Sequence, residues 1–139
     1  MASFTPSTSA PTPDDDTEAF LTHTWKNDSS GENNHDRVAL IHKELKSQGV
    51  KVWFDEERMQ GTRIVSEMCA GIDNADCVVC FVTQVYIDKV QGKNGPDDNC
   101  LREFDYAIQH KTSDRIITVV MEPELFGKPW QGPVGMSLK

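Results

Sequence analysis

The chain alternates short apolar runs with apolar residues spaced at helical intervals. The apolar runs predict four strands, at about residues 19–23, 50–54, 77–83 and 115–121. The spaced residues predict helices from Asn34 or Asp36 to Gly49, from about 63 to 73, and from about 99 to 110. Strands that alternate with helices indicate an α/β fold, in which a parallel sheet is built with right-handed crossovers.

Polar, glycine-containing loops follow three of the predicted strands. They hold Trp25, residues 55–61 and residues 94–103, and the last of them ends a long connection with a short helical turn at 85–88. In a parallel sheet the carboxyl ends of the strands share one edge, where binding sites of such folds lie. We therefore expect the three loops to form a single site.

The segment 97–104 reads as a loop that runs directly into a helix. Asp97, Asp98 and Asn99 are all candidates to cap the helix start. Leu101, Phe104 and Ile108 predict its buried stripe, and Glu103 is predicted in the first turn beside that stripe. A helix amino terminus stabilises an ionised carboxylate. Glu103 is therefore our candidate for a working carboxylate, with a solvated glutamate that only stabilises its helix as the alternative.

Composition and net charge indicate the extent of the domain, the partners it is not expected to have and its location in the cell. Residues 1–17 are rich in Ser, Thr, Pro and Asp, which predicts a disordered tail before one domain at 18–139. The net charge of −8 argues against a general nucleic-acid or anionic-membrane surface, although a local basic pocket remains compatible with it. The chain shows neither a membrane-spanning run nor a signal peptide, so we expect a cytoplasmic protein without a membrane partner.

The four cysteines are expected to be small buried residues. Cys77 and Cys80 have the spacing of a redox or zinc pair, but they fall within one predicted strand. Residues three apart on a strand point to opposite faces of the sheet, so this pair is not expected to bind a metal.

Four segments, in order, resemble the TIR (Toll/interleukin-1 receptor) domain family over about residues 18–135. The resemblance implies a flavodoxin-like parallel sheet flanked by helices. The segments are Phe20-Leu21-Thr22-His23-Thr24-Trp25, the stretch from Trp53 to Gly61, the stretch from Gly71 to Val79, and Asn99-Cys100-Leu101-Arg102-Glu103, which resembles a Trp-Cys-x-x-Glu motif.

The sequence departs from the family pattern in two places. Asn99 stands where the motif often has Trp, so an aromatic wall of the usual pocket is either missing or supplied elsewhere. Family domains also continue into a fifth strand and a last helix, and we expect this domain either to lack them or to finish differently.

The resemblance implies two functions of different classes. Some members cleave NAD at the nicotinamide–ribose bond, with the motif glutamate as catalytic residue, which carries over to Glu103. NAD would then be the substrate, with no cofactor and no metal. The substrate-binding candidates are Thr24, Trp25, Lys26, Asp55, Arg58, Ile64 and Asn99. Five of them also have an ordinary alternative: Trp25 packed under its own loop, Asp55 forming a turn, Lys26 and Arg58 as surface charges, and Ile64 in the core.

Other members only assemble signalling complexes. In that case the chain would be a non-catalytic scaffold that associates with itself or with other TIR domains through residues 55–61 and nearby helix faces. The two functions are compatible, because family enzymes often complete their pocket by self-association. A receiver domain fits poorly, and the absence of a Gly-x-Gly-x-x-Gly motif disfavours a redox enzyme. The form of the ADP-ribose product is left open.

Overall fold

The computed structural model describes residues 17–54 and 62–138, with the backbone alone at 62–64. The elements follow in the order β1, α1, β2, α2, β3, α3, α4, β4 and α5. Their bounds are β1 Thr17–Thr22, α1 Asn34–Ser47, β2 Val52–Trp53, α2 Thr62–Asn74, β3 Ala75–Val82, α3 Gln84–Val90, α4 Asn99–His110, β4 Ile116–Val120 and α5 Gly132–Leu138. The predicted strands and helices are therefore all present, and β1 begins one residue before the expected domain boundary.

The four described strands form one parallel sheet in the order β2-β1-β3-β4. Phe20 of β1 is paired with Trp53 of β2 on one side and with Val78 of β3 on the other. The chain therefore moves outward from β1 to β2 and then crosses back to β3. The carboxyl ends of β1 and β3 are adjacent at this change of direction, which is where ligands bind in doubly wound sheets.

Two hydrophobic clusters cover the two faces of the sheet. On one face, Val38 of α1 packs with Leu21, Phe54 and Phe81. On the other face the buried cluster draws on α2, α3, α4 and α5; its members include Ile72, Tyr86, Phe104 and Val134. Cys80 belongs to this second cluster, whereas Cys77 packs against the first, which confirms that the two thiols point to opposite faces.

Three local expectations differ from the structure. The second strand is only two residues long, because only Ala19 and Phe20 of β1 are paired with it. The connection after β3 contains a full helix, α3, whose start is capped by the Thr83 hydroxyl. The terminal segment, which has no apolar periodicity, still forms a 3-10 turn at Pro123–Leu125 and the short helix α5. The described residues contain no fifth strand.

Within the described residues, none of the helices combines the length and the apolar character that crossing a bilayer requires.

Candidate functional site

Asp98 fixes the start of α4. Its Oδ1 accepts hydrogen bonds from the backbone N–H groups of Cys100 at 2.8 Å and Leu101 at 3.4 Å. Its Oδ2 lies 2.6 Å from Asn94 Nδ2 and 3.3 Å from Lys89 Nζ. Burial raises the pKa of Asp98, but the Asn94 hydrogen bond and the Lys89 charge outweigh burial and leave the pKa lowered. Of the three cap candidates Asp98 is therefore the cap, and Asn99 is the half-buried first residue of the helix.

Glu103 is not in the first turn of α4, so that prediction is wrong. Because the helix begins at Asn99, Glu103 is its fifth residue, and the first turn contains no acidic side chain. The field of a helix terminus falls off within about one turn. Glu103 therefore lies too far along the helix for the helix dipole to stabilise a negative charge there appreciably.

Glu103 interacts electrostatically with two buried thiols and a buried phenol. Burial is the main cause that raises the pKa of Cys80, to about 12, and the charge of Glu103 also raises it. Burial and then Glu103 likewise raise the pKa of Cys100. The pKa of Tyr86 is raised by burial, by both thiols and by Glu103. The half-buried Glu103 carboxylate therefore interacts electrostatically with groups contributed by β3, α3 and α4.

The buried stripe of α4 is also displaced from the predicted one. Cys100, Phe104 and Ala107 are the buried residues, whereas Leu101 and Ile108 are only partly covered. The predicted stripe leaves out Cys100, although the cysteines are expected to be buried, and its side chain belongs to the hydrophobic core. Cys100 Sγ donates to the His23 carbonyl oxygen at 3.4 Å, which joins α4 to the end of β1.

The first loop is built on stacked rings. The Trp25 and His35 rings have centroids 3.5 Å apart and an interplanar angle of 13°. His23 Nε2 lies 2.7 Å from His35 Nδ1, and the His23 ring also stacks on Phe54. Burial, followed by His35 and Lys89, lowers the pKa of His23 to about 3. His23 is therefore a neutral, hydrogen-bonded structural histidine, and Trp25 is anchored on α1.

The remaining predicted binding residues have different positions. Thr24 is fully buried; its hydroxyl accepts from the Lys26 backbone N–H at 3.2 Å, and its carbonyl accepts from Asn34 Nδ2 at 2.9 Å. It shapes the loop from inside, while Lys26 is exposed. Asp55 and Arg58 lie outside the described residues. Ile64 lies in the first turn of α2, where the structure describes only the backbone.

A polar network holds the first loop in place, and the sequence analysis missed it. Asp28 accepts from Ser30, from the Glu32 backbone N–H and from Arg37, whose Nη1 lies 2.9 Å from the carboxylate. Arg37 Nη2 also donates to the Met121 carbonyl at 3.1 Å. The network thus runs from the first loop through α1 to the end of β4.

Glu122 completes this support. It is buried, and its two carboxylate oxygens accept from the backbone N–H groups of Ser29 at 3.1 Å and Gln84 at 2.7 Å. One side chain therefore joins the loops that follow β1 and β3. From the sequence, the site is expected in loops that follow the carboxyl ends of the strands. Glu122 meets this criterion, because it follows β4 at the same edge of the sheet.

Taken together, the edge carries a half-buried carboxylate on a rigid helix and an anchored indole on the neighbouring loop. Such a pair can stabilise a developing positive charge and stack on a planar ring. Within residues 17–54 and 62–138 we find no group of three metal-ligating side chains.

Comparison with known proteins agrees with this architecture. A comparison with individually curated proteins finds no significant match. The family profile described as the TIR domain matches residues 20–135, which is well over half of the chain and includes the second half of β1 and the whole of β2, β3 and β4. The chain therefore belongs to the TIR domain family.

Proposed function

We propose that this domain acts in cytoplasmic signalling by cleaving the nicotinamide–ribose bond of NAD, with Glu103 as the catalytic carboxylate. TIR domains are signalling domains, and the family includes NAD-cleaving members. The observation that carries the proposal is the position of Glu103, which is half-buried at the carboxyl edge of the sheet and close enough to Cys80, Cys100 and Tyr86 to raise their pKa values.

The chemistry suits a single fixed carboxylate. Nicotinamide leaves a cationic pyridinium as a neutral ring, so its departure needs no general acid. The ribosyl group left behind passes through an oxocarbenium-like transition state, as in glycoside hydrolysis. The Glu103 carboxylate would stabilise that positive charge and orient the ribose hydroxyls. The raised pKa values keep Cys80, Cys100 and Tyr86 neutral, so these groups would add no negative charge beside the carboxylate.

Trp25 is the proposed stacking surface for a base of the substrate. Its ring is held by His35, which reduces the conformational freedom that would be lost on binding. Lys26, on the same loop and exposed, would meet the pyrophosphate. Asn99 would lie beside Glu103 where the family motif often has Trp. Trp25 would then be the main aromatic surface of the pocket.

Nicotinamide release from NAD tests this proposal. Glu103→Gln keeps the size of the side chain but removes the charge, and we expect release to fall by about a hundredfold or more. Asp105→Asn is the matched control, because it makes the same chemical change at an exposed position of the same helix. Release that is equal in the native chain and in Glu103→Gln would exclude the catalytic role. The assay should span low and high protein concentration, because a pocket completed by self-association is active only when concentrated.

The second candidate is a scaffold that works by association alone, since TIR domains interact with other TIR domains. It is favoured by large apolar side chains on the surface: Phe126 is 68% exposed and Met136 is 90% exposed. If no nicotinamide is released at any concentration while the chain self-associates, the scaffold explains the protein better than catalysis does.

A further inference from the structure

A cavity lies on the α1 side of the sheet, opposite the face covered by α4. It has a volume of about 350 Å³ and is lined by His35, Ala39, His42, Lys43, Lys46 and Phe54. All but Phe54 lie on one stripe of α1, because their spacing of three or four residues returns to the same side of a helix. Phe54 contributes from the end of β2.

The described lining of this cavity is cationic, in a chain whose net charge is −8. It contains two ammonium groups and two imidazoles. Within the described part of the chain, neither Lys43 nor Lys46 forms an ion pair. The helix dipole favours a cationic side chain near the carboxyl end of α1, which accounts for Lys46 alone. It does not account for Lys43 and two histidines on the same stripe.

The cavity also has aromatic walls. The His42 ring stacks on Phe54 with centroids 4.7 Å apart, and the His35 ring lies 5.3 Å from that of Phe54. Phe54 is only 2% exposed, so the imidazoles provide most of the accessible planar surface. Cationic groups beside a planar wall suit a ligand that carries a phosphate on a flat ring system.

We propose that this cavity binds a phosphate monoester of mononucleotide size. Lys43 and Lys46 would bind the phosphate, and His35 and His42 would flank the base. A volume of about 350 Å³ lies at the small end of ligand pockets, which matches a mononucleotide better than a dinucleotide. The site is separate from Glu103 and does not depend on NAD cleavage.

His35 links this cavity to the first loop. Its ring lines the cavity and also stacks on Trp25 at 3.5 Å. A ligand that contacts His35 would therefore also alter the surroundings of Trp25, which couples the cavity to the first loop.

Titration of the chain with AMP, inorganic phosphate and adenosine, followed by calorimetry and by NMR of the imidazole signals, tests the proposal. We expect AMP to bind more tightly than phosphate or adenosine, and to shift the signals of His35 and His42 but not that of His110 on α4. Lys43→Gln with Lys46→Gln should weaken AMP binding by about tenfold or more, because charge-assisted hydrogen bonds are lost.

Lys51→Gln with Lys93→Gln is the matched control, since it removes the same charge at exposed positions outside the cavity. This control and Glu103→Gln should both bind AMP as the native chain does. The proposal is overturned if millimolar AMP does not bind, if adenosine binds as tightly as AMP, or if the control pair weakens binding as much as the cavity pair.

Discussion

The two sides of the proposed NAD site are held by different forces. On the α4 side, Cys100, Phe104 and Ala107 are buried in the larger hydrophobic cluster, and apolar packing fixes the helix that carries Glu103. On the α1 side, only Asn34 and Val38 of the helix are buried, and the loop with Trp25 is held by polar contacts and stacked rings. The carboxylate therefore depends on packing and the indole on a hydrogen-bonded network.

The two sides should therefore respond differently to mutation and to pH. Apolar packing is insensitive to pH and is lost when volume is removed. A network of charged and titratable groups tolerates small changes of volume but depends on protonation.

The largest expected effect is the loss of packing under α4. Phe104 is 1% exposed, and Phe104→Ala should lower the free energy of unfolding by about 3–5 kcal/mol. Leu40→Ala on α1 is the control, because Leu40 is 68% exposed and its truncation should cost less than about 0.5 kcal/mol. Urea denaturation measures both. Equal losses in the two variants would show that burial of Phe104 does not hold α4 in place.

A smaller effect, on the α1 side, should come from pH. The pKa of His23 is lowered from 6.5 to about 3, so the unfolded chain takes up a proton below pH 6.5 that the folded chain does not. The contribution of His23 to stability is therefore full above pH 6.5 and is lost as the pH falls toward 3, at up to about 1.4 kcal/mol per pH unit. Between pH 6.5 and 5 this amounts to about 2 kcal/mol, measurable by denaturation at each pH.

His23→Gln provides the control for this pH dependence. It removes the titrating ring, so the curve of stability against pH should flatten between pH 6.5 and 5 whatever the absolute stability of the variant. Asp28 and Asp98 also have lowered pKa values, but their contributions are lost only below about pH 4. A slope that persists unchanged in His23→Gln would assign the pH dependence to other groups.

The same contrast explains which parts of the molecule the sequence could predict. The bounds of α4 follow from a capping Asp and apolar spacing, both local signals, and the structure places its start and end where the pattern predicts them. The second strand is shorter than its apolar run, because the pairing partner and not the run sets the length of a strand.

Side-chain partners distant in sequence could not be predicted in the same way. Glu122 and Ser29 are 93 positions apart, and Arg37 and Met121 are 84 apart. A single sequence contains no signal that pairs such residues. The placement of Glu103 at the sheet edge could be predicted, but its electrostatic interaction with Cys80 and Tyr86 could not, since both are ordinary core residues by their sequence pattern.

Glu122 tests whether a single polar contact supports the first loop. In Glu122→Gln one accepting oxygen is replaced by an NH₂ group, so either the Ser29 or the Gln84 N–H loses its acceptor. We expect the free energy of unfolding to fall by about 1–3 kcal/mol. Faster hydrogen exchange should appear in the first loop and at the start of α3, but not in α4. Faster exchange throughout α4 would show that the two sides of the site are not held separately.

The smallest effect should come from separating the two roles of Asp98 at the start of α4. Asp98→Asn keeps a good helix cap but loses the charge that faces Lys89, whereas Asp98→Ala loses both. We expect Asp98→Ala to cost about 1 kcal/mol more than Asp98→Asn, because the N–H groups of Cys100 and Leu101 lose their acceptor. Urea denaturation gives the difference. Equal costs for the two variants would mean that the ion pair with Lys89, and not the cap, holds the end of the helix that carries Glu103, so that charge matters on the packed side as well.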